Sequence, residues 1–107
     1  MGVVAQFRKR MDSGARCVGP SITFCDPALT EAIAPESDFL WIDTEHSPMS
    51  IQTLTGHLLA AKACTKPALI RVPSSAIGNI KRTLDAGTDG IIVPQIKTLE
   101  EAFNVVA

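Results

Sequence analysis

Asp43, Glu45 and His46 stand together in the run Asp43-Thr44-Glu45-His46-Ser47-Pro48, directly after the apolar stretch Phe39-Leu40-Trp41-Ile42. Arg71 occupies the same place after a second apolar stretch, Ala68-Leu69-Ile70, and Val72-Pro73 follows it. An imidazole beside a carboxylate is suited to proton transfer near neutral pH. The carboxylate fixes one ring nitrogen and raises the basicity of the other. His46 is therefore the candidate acid–base group and Asp43 the carboxylate that orients it; a helix cap or a packing role is the plainer alternative for His46. An Arg that closes an apolar strand is either half of a structural ion pair or an anion clamp, since its fork matches a carboxylate or phosphate. Pro73 forces the chain out of the strand and leaves Arg71 at its end. Glu45 is assigned only a salt bridge or hydrogen bond at the strand end.

Asp85 comes just before Ala86-Gly87, at the end of a helical pattern. A carboxylate is unfavourable at a helix C-terminus, so a partner is expected, in this chain or in a neighbouring subunit. His57 has no partner by spacing and reads as structural, and Gln95 is a weak candidate for hydrogen-bonding a ligand. No GxGxxG, P-loop, HExxH or GxSxG motif is present. Cys17, Cys25 and Cys64 have neither CxxC nor zinc spacing. They read as reduced thiols in a cytoplasmic protein.

The elements that must position these groups follow from periodicity. Val3, Val4, Phe7 and Met11 predict a lead-in helix over 3–11, ended by Asp12-Ser13-Gly14. A strand is expected over 18–24. A helix follows from the Asp26 N-cap and Pro27 to about Ile33, before Pro35. The second strand is 39–42. Ser47 is the expected cap of the next helix, with Pro48 at its first position and Ile51, Leu54, Leu58 and Leu59 on one face. The third strand is 68–72. Ile77, Ile80 and Leu84 mark a helix stopping at Gly87, and 90–94 is the fourth strand. Thr98 and Glu101 form a capping box for a last helix with Leu99, Ala102, Phe103 and Val106 on its apolar face.

The order is one helix and then four strand–helix units, in strands with little alternation. Parallel strands buried on both faces have that character. The fold class is α/β, and the units make a small open sheet or half of an eight-fold barrel; a full barrel needs roughly 200 residues or more. The C-terminal ends of parallel strands lie along one rim, so Asp43, His46 and Arg71 are expected to converge there. The 107 residues allow one domain. A net charge of −1 argues against nucleic acid or an anionic membrane as partner. No apolar run reaches the roughly 18 residues of a membrane span, and no secretory leader is evident.

Three stretches, Asp38–Pro48 (DFLWIDTEHSP), Ile70–Pro73 (IRVP) and Ile80–Pro94 (IKRTLDAGTDGIIVP), resemble the HpcH/HpaI family in the same order. The resemblance runs from about Val18 to the last residue. Members of this family include class II, metal-dependent pyruvate aldolases acting on 4-hydroxy-2-oxo acids. The resemblance implies a (β/α)8 TIM barrel, of which residues 1–107 are the N-terminal half, truncated before the later strands. It implies a homo-oligomer, usually a hexamer, and a small-molecule 2-oxo acid substrate. It also implies a divalent metal, Mg2+, Mn2+ or Co2+, held by a Glu and an Asp of later strands, so no metal ligand is expected within this chain. Carried over, His46 is the acid–base residue acting through water, Asp43 orients it, and Arg71 binds the oxo acid and stabilises the pyruvate enolate. Asp85 lies near a subunit interface, behind the residues that touch substrate. The implied activity is reversible aldol cleavage to pyruvate and an aldehyde. Two alternatives stay open: a catalytically inactive fragment that acts by packing against a partner, and an anion-binding module using Arg71 and helix N-termini.

Overall fold

The computed structural model of the chain describes residues 2–47 and 49–106. Its elements are α1 (Val3–Asp12), β1 (Ser21–Ile22), α2 (Pro27–Ile33), a 3-10 turn (Ala34–Glu36), β2 (Leu40–Asp43), α3 (Ile51–Ala63), β3 (Ala68–Arg71), α4 (Ile77–Asp85), β4 (Gly90–Ile92) and α5 (Leu99–Val106). The four strands form one sheet in the order β1-β2-β3-β4, and every pair is parallel. Helices α2, α3 and α4 are thus crossovers between neighbouring strands, the repeat unit of a barrel wall.

Register decides which side chains share a face. Leu40 pairs with Ala68, Ile42 with Ile70 and with Ile22. These five are fully or almost fully buried, and they pack with Leu54, Leu58 and Ala61 of α3. That is the core, between the sheet and the helices behind it. The opposite face carries Ser21, Trp41, Leu69 and Gly90 in one row. The next row toward the strands' C-terminal ends holds Asp43, Arg71 and Ile92. Pleating sends alternate residues to opposite faces, so this row faces away from the core.

Local chemistry explains the boundaries. Asp26 Oδ1 accepts a hydrogen bond from the Ala28 N–H at 2.9 Å, and Pro27 opens α2. Gly87, at φ +96°, takes the left-handed position after α4 that a side chain would resist. Around α5, Thr98 Oγ1 accepts from the Glu101 N–H at 3.1 Å, while Glu101 reaches back to the Lys97 N–H at 3.2 Å, one residue earlier than a capping box requires.

Two expectations change. The first strand shortens from 18–24 to Ser21–Ile22. Pro20 has no N–H to give, and β1 is paired on one side only. The helix after β2 is capped by Ser50, whose hydroxyl accepts from Thr53 N–H at 3.0 Å; Ser47 instead donates to the Thr23 carbonyl at 2.6 Å. Pro48, expected at that helix's first position, lies outside the described residues. The apolar stripes of α4 and α5 are helical as expected, and they lie uncovered. Ile77 and Leu84, and Leu99, Phe103 and Val106, are all exposed. Periodicity tells which face of a helix is apolar; burial requires an element to lie against it.

Candidate active site

The strand β2 ends at Asp43, and β3 ends directly opposite it at Arg71. Two side chains in one row on one face must meet, and here they form a two-pronged ion pair. Arg71 Nη2 donates to Asp43 Oδ2 at 2.7 Å and Arg71 Nε to Asp43 Oδ1 at 3.1 Å. The guanidinium also lies 5.9 Å from the Trp41 ring centroid, two residues back on β2. Asp43 Oδ1 accepts further bonds from the backbone N–H of Glu45 (2.8 Å) and of His46 (3.3 Å). The first of these closes an Asx-turn, the local geometry that Asp favours at the end of a strand.

The loop that follows is pinned from both sides. Thr44 donates its N–H and its hydroxyl to the Arg71 carbonyl, at 3.0 and 2.6 Å, while Ser47 holds the end of β1. Within this frame His46 Nε2 lies 3.2 Å from Glu45 Oε1. Arg71 Nε approaches the same oxygen at 3.4 Å. Gln95, just beyond β4, brings its Nε2 to 3.5 Å from Glu45 Oε2. The side chains grade from closed to open: Asp43 is 3% exposed, Glu45 11%, Arg71 25% and His46 70%.

The guanidinium bonded to Asp43 holds its carboxyl below the usual carboxylate range, against the opposing effect of burial, and the Glu45 and His46 N–H groups add to this. The same pair raises Arg71 further above its already high value. Asp43 is thus the carboxylate that fixes the Arg71 guanidinium at the rim. Its oxygens are spent on Arg71 and the backbone, so it meets His46 through the backbone N–H. The carboxylate at the imidazole is Glu45, a residue for which spacing pointed to no more than a strand-end contact. The usable signal was the Asx-turn propensity of an Asp at a strand end, which predicts that Asp43 bonds its own loop.

Asp85 stands elsewhere. Helix α4 runs back antiparallel to the strands, so its last residue sits toward the opposite rim. There it is exposed and lines a groove with Ile51, Thr55, Lys81 and Arg82. His57 has the structural role its position predicted, with partners that spacing did not reveal: Nε2 with the Phe24 carbonyl at 3.0 Å and Nδ1 with the Thr30 hydroxyl at 2.7 Å. Burial pushes this imidazole below its ordinary value.

The residues present do not fit a divalent metal ion. Among the described residues no three His, Cys, Asp or Glu side chains come together as a binding cluster. The two rim carboxylates are engaged by Arg71 and, for Glu45, by His46 and Gln95. No helix among the described residues is long and apolar enough to cross a membrane.

Fold and site together define a class: a parallel βα protein of the barrel type, with a fixed guanidinium and an open imidazole on the C-terminal rim. Residues 25–107 match the HpcH/HpaI aldolase/citrate lyase family, and the chain belongs to it. It is similar to the hydroxypyruvate/pyruvate aldolase of Roseovarius nubinhibens, with 31% identity over 101 residues, covering 94% of this chain and 39% of that protein. It is also similar to the 5-keto-4-deoxy-D-glucarate aldolase of Escherichia fergusonii, with 34% identity over 91 residues, covering 84% and 36%. Among solved structures, that of the citrate synthase SbnG superposes with a TM-score of 0.85 at 34% identity, over 92% of this chain and 41% of that one. The chain thus spans about two fifths of the length of the curated relatives it matches.

Proposed function

We propose that this chain carries the acid–base and anion-binding part of a class II pyruvate aldolase. The reaction is reversible cleavage of a 4-hydroxy-2-oxo acid to pyruvate and an aldehyde. The observation that carries the reading is the cross-strand pairing of Asp43 with Arg71 beside an open His46, all at the end of β2 and β3. The likeness to two aldolases of related substrates supports it.

In cleavage, His46 takes the proton of the 4-hydroxyl through a water molecule. The O–H electron pair becomes the aldehyde carbonyl, the C3–C4 bond breaks, and its electrons move into an enolate on C2–C3. Arg71 faces that enolate with Nη1, which has no partner among the described residues, while Asp43 keeps the guanidinium from turning away. Return of the proton to C3 gives pyruvate. Fixed charge aimed at developing charge is the largest single contribution such a site makes. The family is generally metal-dependent. An ion such as Mg2+, Mn2+ or Co2+ would supply polarisation of the 2-oxo group. The rim carboxylates described above would not hold it; other side chains, brought in by assembly or by further strands, would have to. Asp85, at the far end of α4, belongs in this reading at a subunit interface. A cytoplasmic setting goes with it, since Cys17, Cys25 and Cys64 are free thiols.

A second reading has its own support. Leu99, Phe103 and Val106 of α5 are exposed, and a metal cluster is missing among the described residues. Both favour a non-catalytic role in which the chain packs against a partner. Pyruvate release from a 4-hydroxy-2-oxo acid, with and without Mn2+, separates the two when size-exclusion is run on the same sample. Pyruvate release from a discrete oligomer supports the aldolase reading, and release that needs Mn2+ would mean that assembly builds a metal site the single chain lacks. No release from a well-folded, discrete species overturns the aldolase reading for this chain.

A further inference from the structure

Glu45 gathers three strand ends onto one carboxylate. His46 comes from the loop after β2, Arg71 from the end of β3 and Gln95 from just after β4. We propose that Glu45 is the positioning residue of His46: it holds Nε2–H and thereby presents Nδ1 as the nitrogen that exchanges protons with water or substrate. This rests on the reading of His46 as the acid–base group and deepens it, naming the working atom.

Four observations point this way. Asp43, the other nearby carboxylate, already receives four donors: Oδ2 faces Arg71 Nη2, and Oδ1 faces Arg71 Nε and two backbone N–H groups, with none from the imidazole. Among the described residues, the charged acceptor at the imidazole is Glu45 Oε1 at 3.2 Å. That acceptor is itself held, because Arg71 Nε approaches Oε1 at 3.4 Å and Gln95 Nε2 approaches Oε2 at 3.5 Å. Gln95 does this from a backbone φ of +56°, a left-handed conformation uncommon for a residue other than glycine and characteristic of sites where geometry is imposed. Finally, the His46 side chain is largely open while Glu45 is nearly closed, so Nε2 meets the protein while most of the ring stays in solvent. A neutral histidine has one donor and one acceptor nitrogen, and the partner of one decides the role of the other.

The test reads tautomers directly. The chain has two histidines. Their ring nitrogens are assigned by two-bond 15N–1H correlation at about pH 9, well above the ordinary imidazole value near 6.5. His57 is the internal control for folding, since Thr30 and Phe24 fix it in the core. In wild type, His46 should show one protonated-type nitrogen, Nε2, and one bare-type nitrogen, Nδ1, with a wide gap between them. In Glu45→Ala the gap should narrow toward the averaged positions of a freely exchanging imidazole, with His57 unmoved. In Glu45→Gln, which keeps the shape and a neutral acceptor, the gap should fall between the two. A His46 gap unchanged in Glu45→Ala overturns the proposal. If Glu45→Ala shifts His57 as well and so has lost its fold, Glu45→Gln decides: a gap equal to wild type overturns the proposal, a narrower one supports it. The readout needs no turnover. A chain that releases no pyruvate yet shows the gap and its loss would retain the positioning and lose the aldolase reading. A His46→Ala variant that abolishes pyruvate release, with no gap change on altering Glu45, would do the reverse.

Discussion

Asp43 is the residue on which the rest of the site depends. It has two carboxylate oxygens, and four donors compete for them: two from Arg71 and two backbone N–H groups from its own loop. Removing it leaves a guanidinium three-quarters covered with its main partner gone. Asp43→Ala should destabilise the chain by roughly 3 kcal/mol, the low end for breaking a buried pair because Arg71 keeps some solvent; urea unfolding measures it. His46 is the opposite case. Its ring is mostly in solvent and supports nothing in the core. His46→Ala should leave the melting curve within experimental scatter and, on the proposed aldolase reading, lower pyruvate release by about 10²–10⁴-fold, the usual worth of a general acid–base group. Release that His46→Ala does not change would mean that another residue moves the proton.

Among the elements, close approach and capping set the constraints. Gly19 lies just before β1, and a side chain there would run into the carbonyl group of Phe39, a backbone atom that cannot swing aside. Gly78, in the first turn of α4, has open space where a side chain would go. Gly19→Ala should therefore cost about 1–3 kcal/mol or more by overpacking. Gly78→Ala should gain roughly 0.5–1 kcal/mol from the stiffer unfolded chain and the better helix former. The pair of melting temperatures moving in the same direction would contradict this packing. The cap of α3 gives a third value: Ser50→Ala loses the bond to Thr53 N–H and should cost about 1 kcal/mol.

At the scale of the whole molecule, acid is the natural stress. The His57 imidazole is held below its ordinary value by burial, so the unfolded chain takes up a proton first. Its contribution is complete above about pH 6.5 and is lost as pH falls below that toward the lowered folded value. Asp43, lowered by Arg71, contributes fully above about pH 3.9 and is lost as pH falls through its own lowered value. The urea midpoint should thus decline in two stages, gently below about pH 6.5 and further below about pH 4. His57→Gln should remove the first stage while lowering the midpoint throughout, because the Thr30 hydroxyl and the Phe24 carbonyl lose their imidazole partner. A midpoint flat between about pH 7 and 5 in wild type would show that His57 is not buried neutral.

The sequence by itself determined the alternation of strands and helices, the placing of Asp43 and Arg71 at strand ends, and the structural character of His57. Apolar periodicity and turn residues are local signals, and parallel strands with helical crossovers bring consecutive strand ends to one rim whatever the side chains do. The Asp26 N-cap and the Gly87 stop were legible for the same reason. Tertiary structure decided what local signals do not carry. Register put Asp43 and Arg71 in one row, so Asp43 was consumed by Arg71 and by its own turn, and the carboxylate beside His46 became Glu45. The last turn of the loop moved the α3 cap from Ser47 to Ser50 because Ser47 found the Thr23 carbonyl just beyond β1. The stripes of α4 and α5 were correctly apolar, but whether they are covered depends on which elements lie beside them, and helix periodicity holds no record of that.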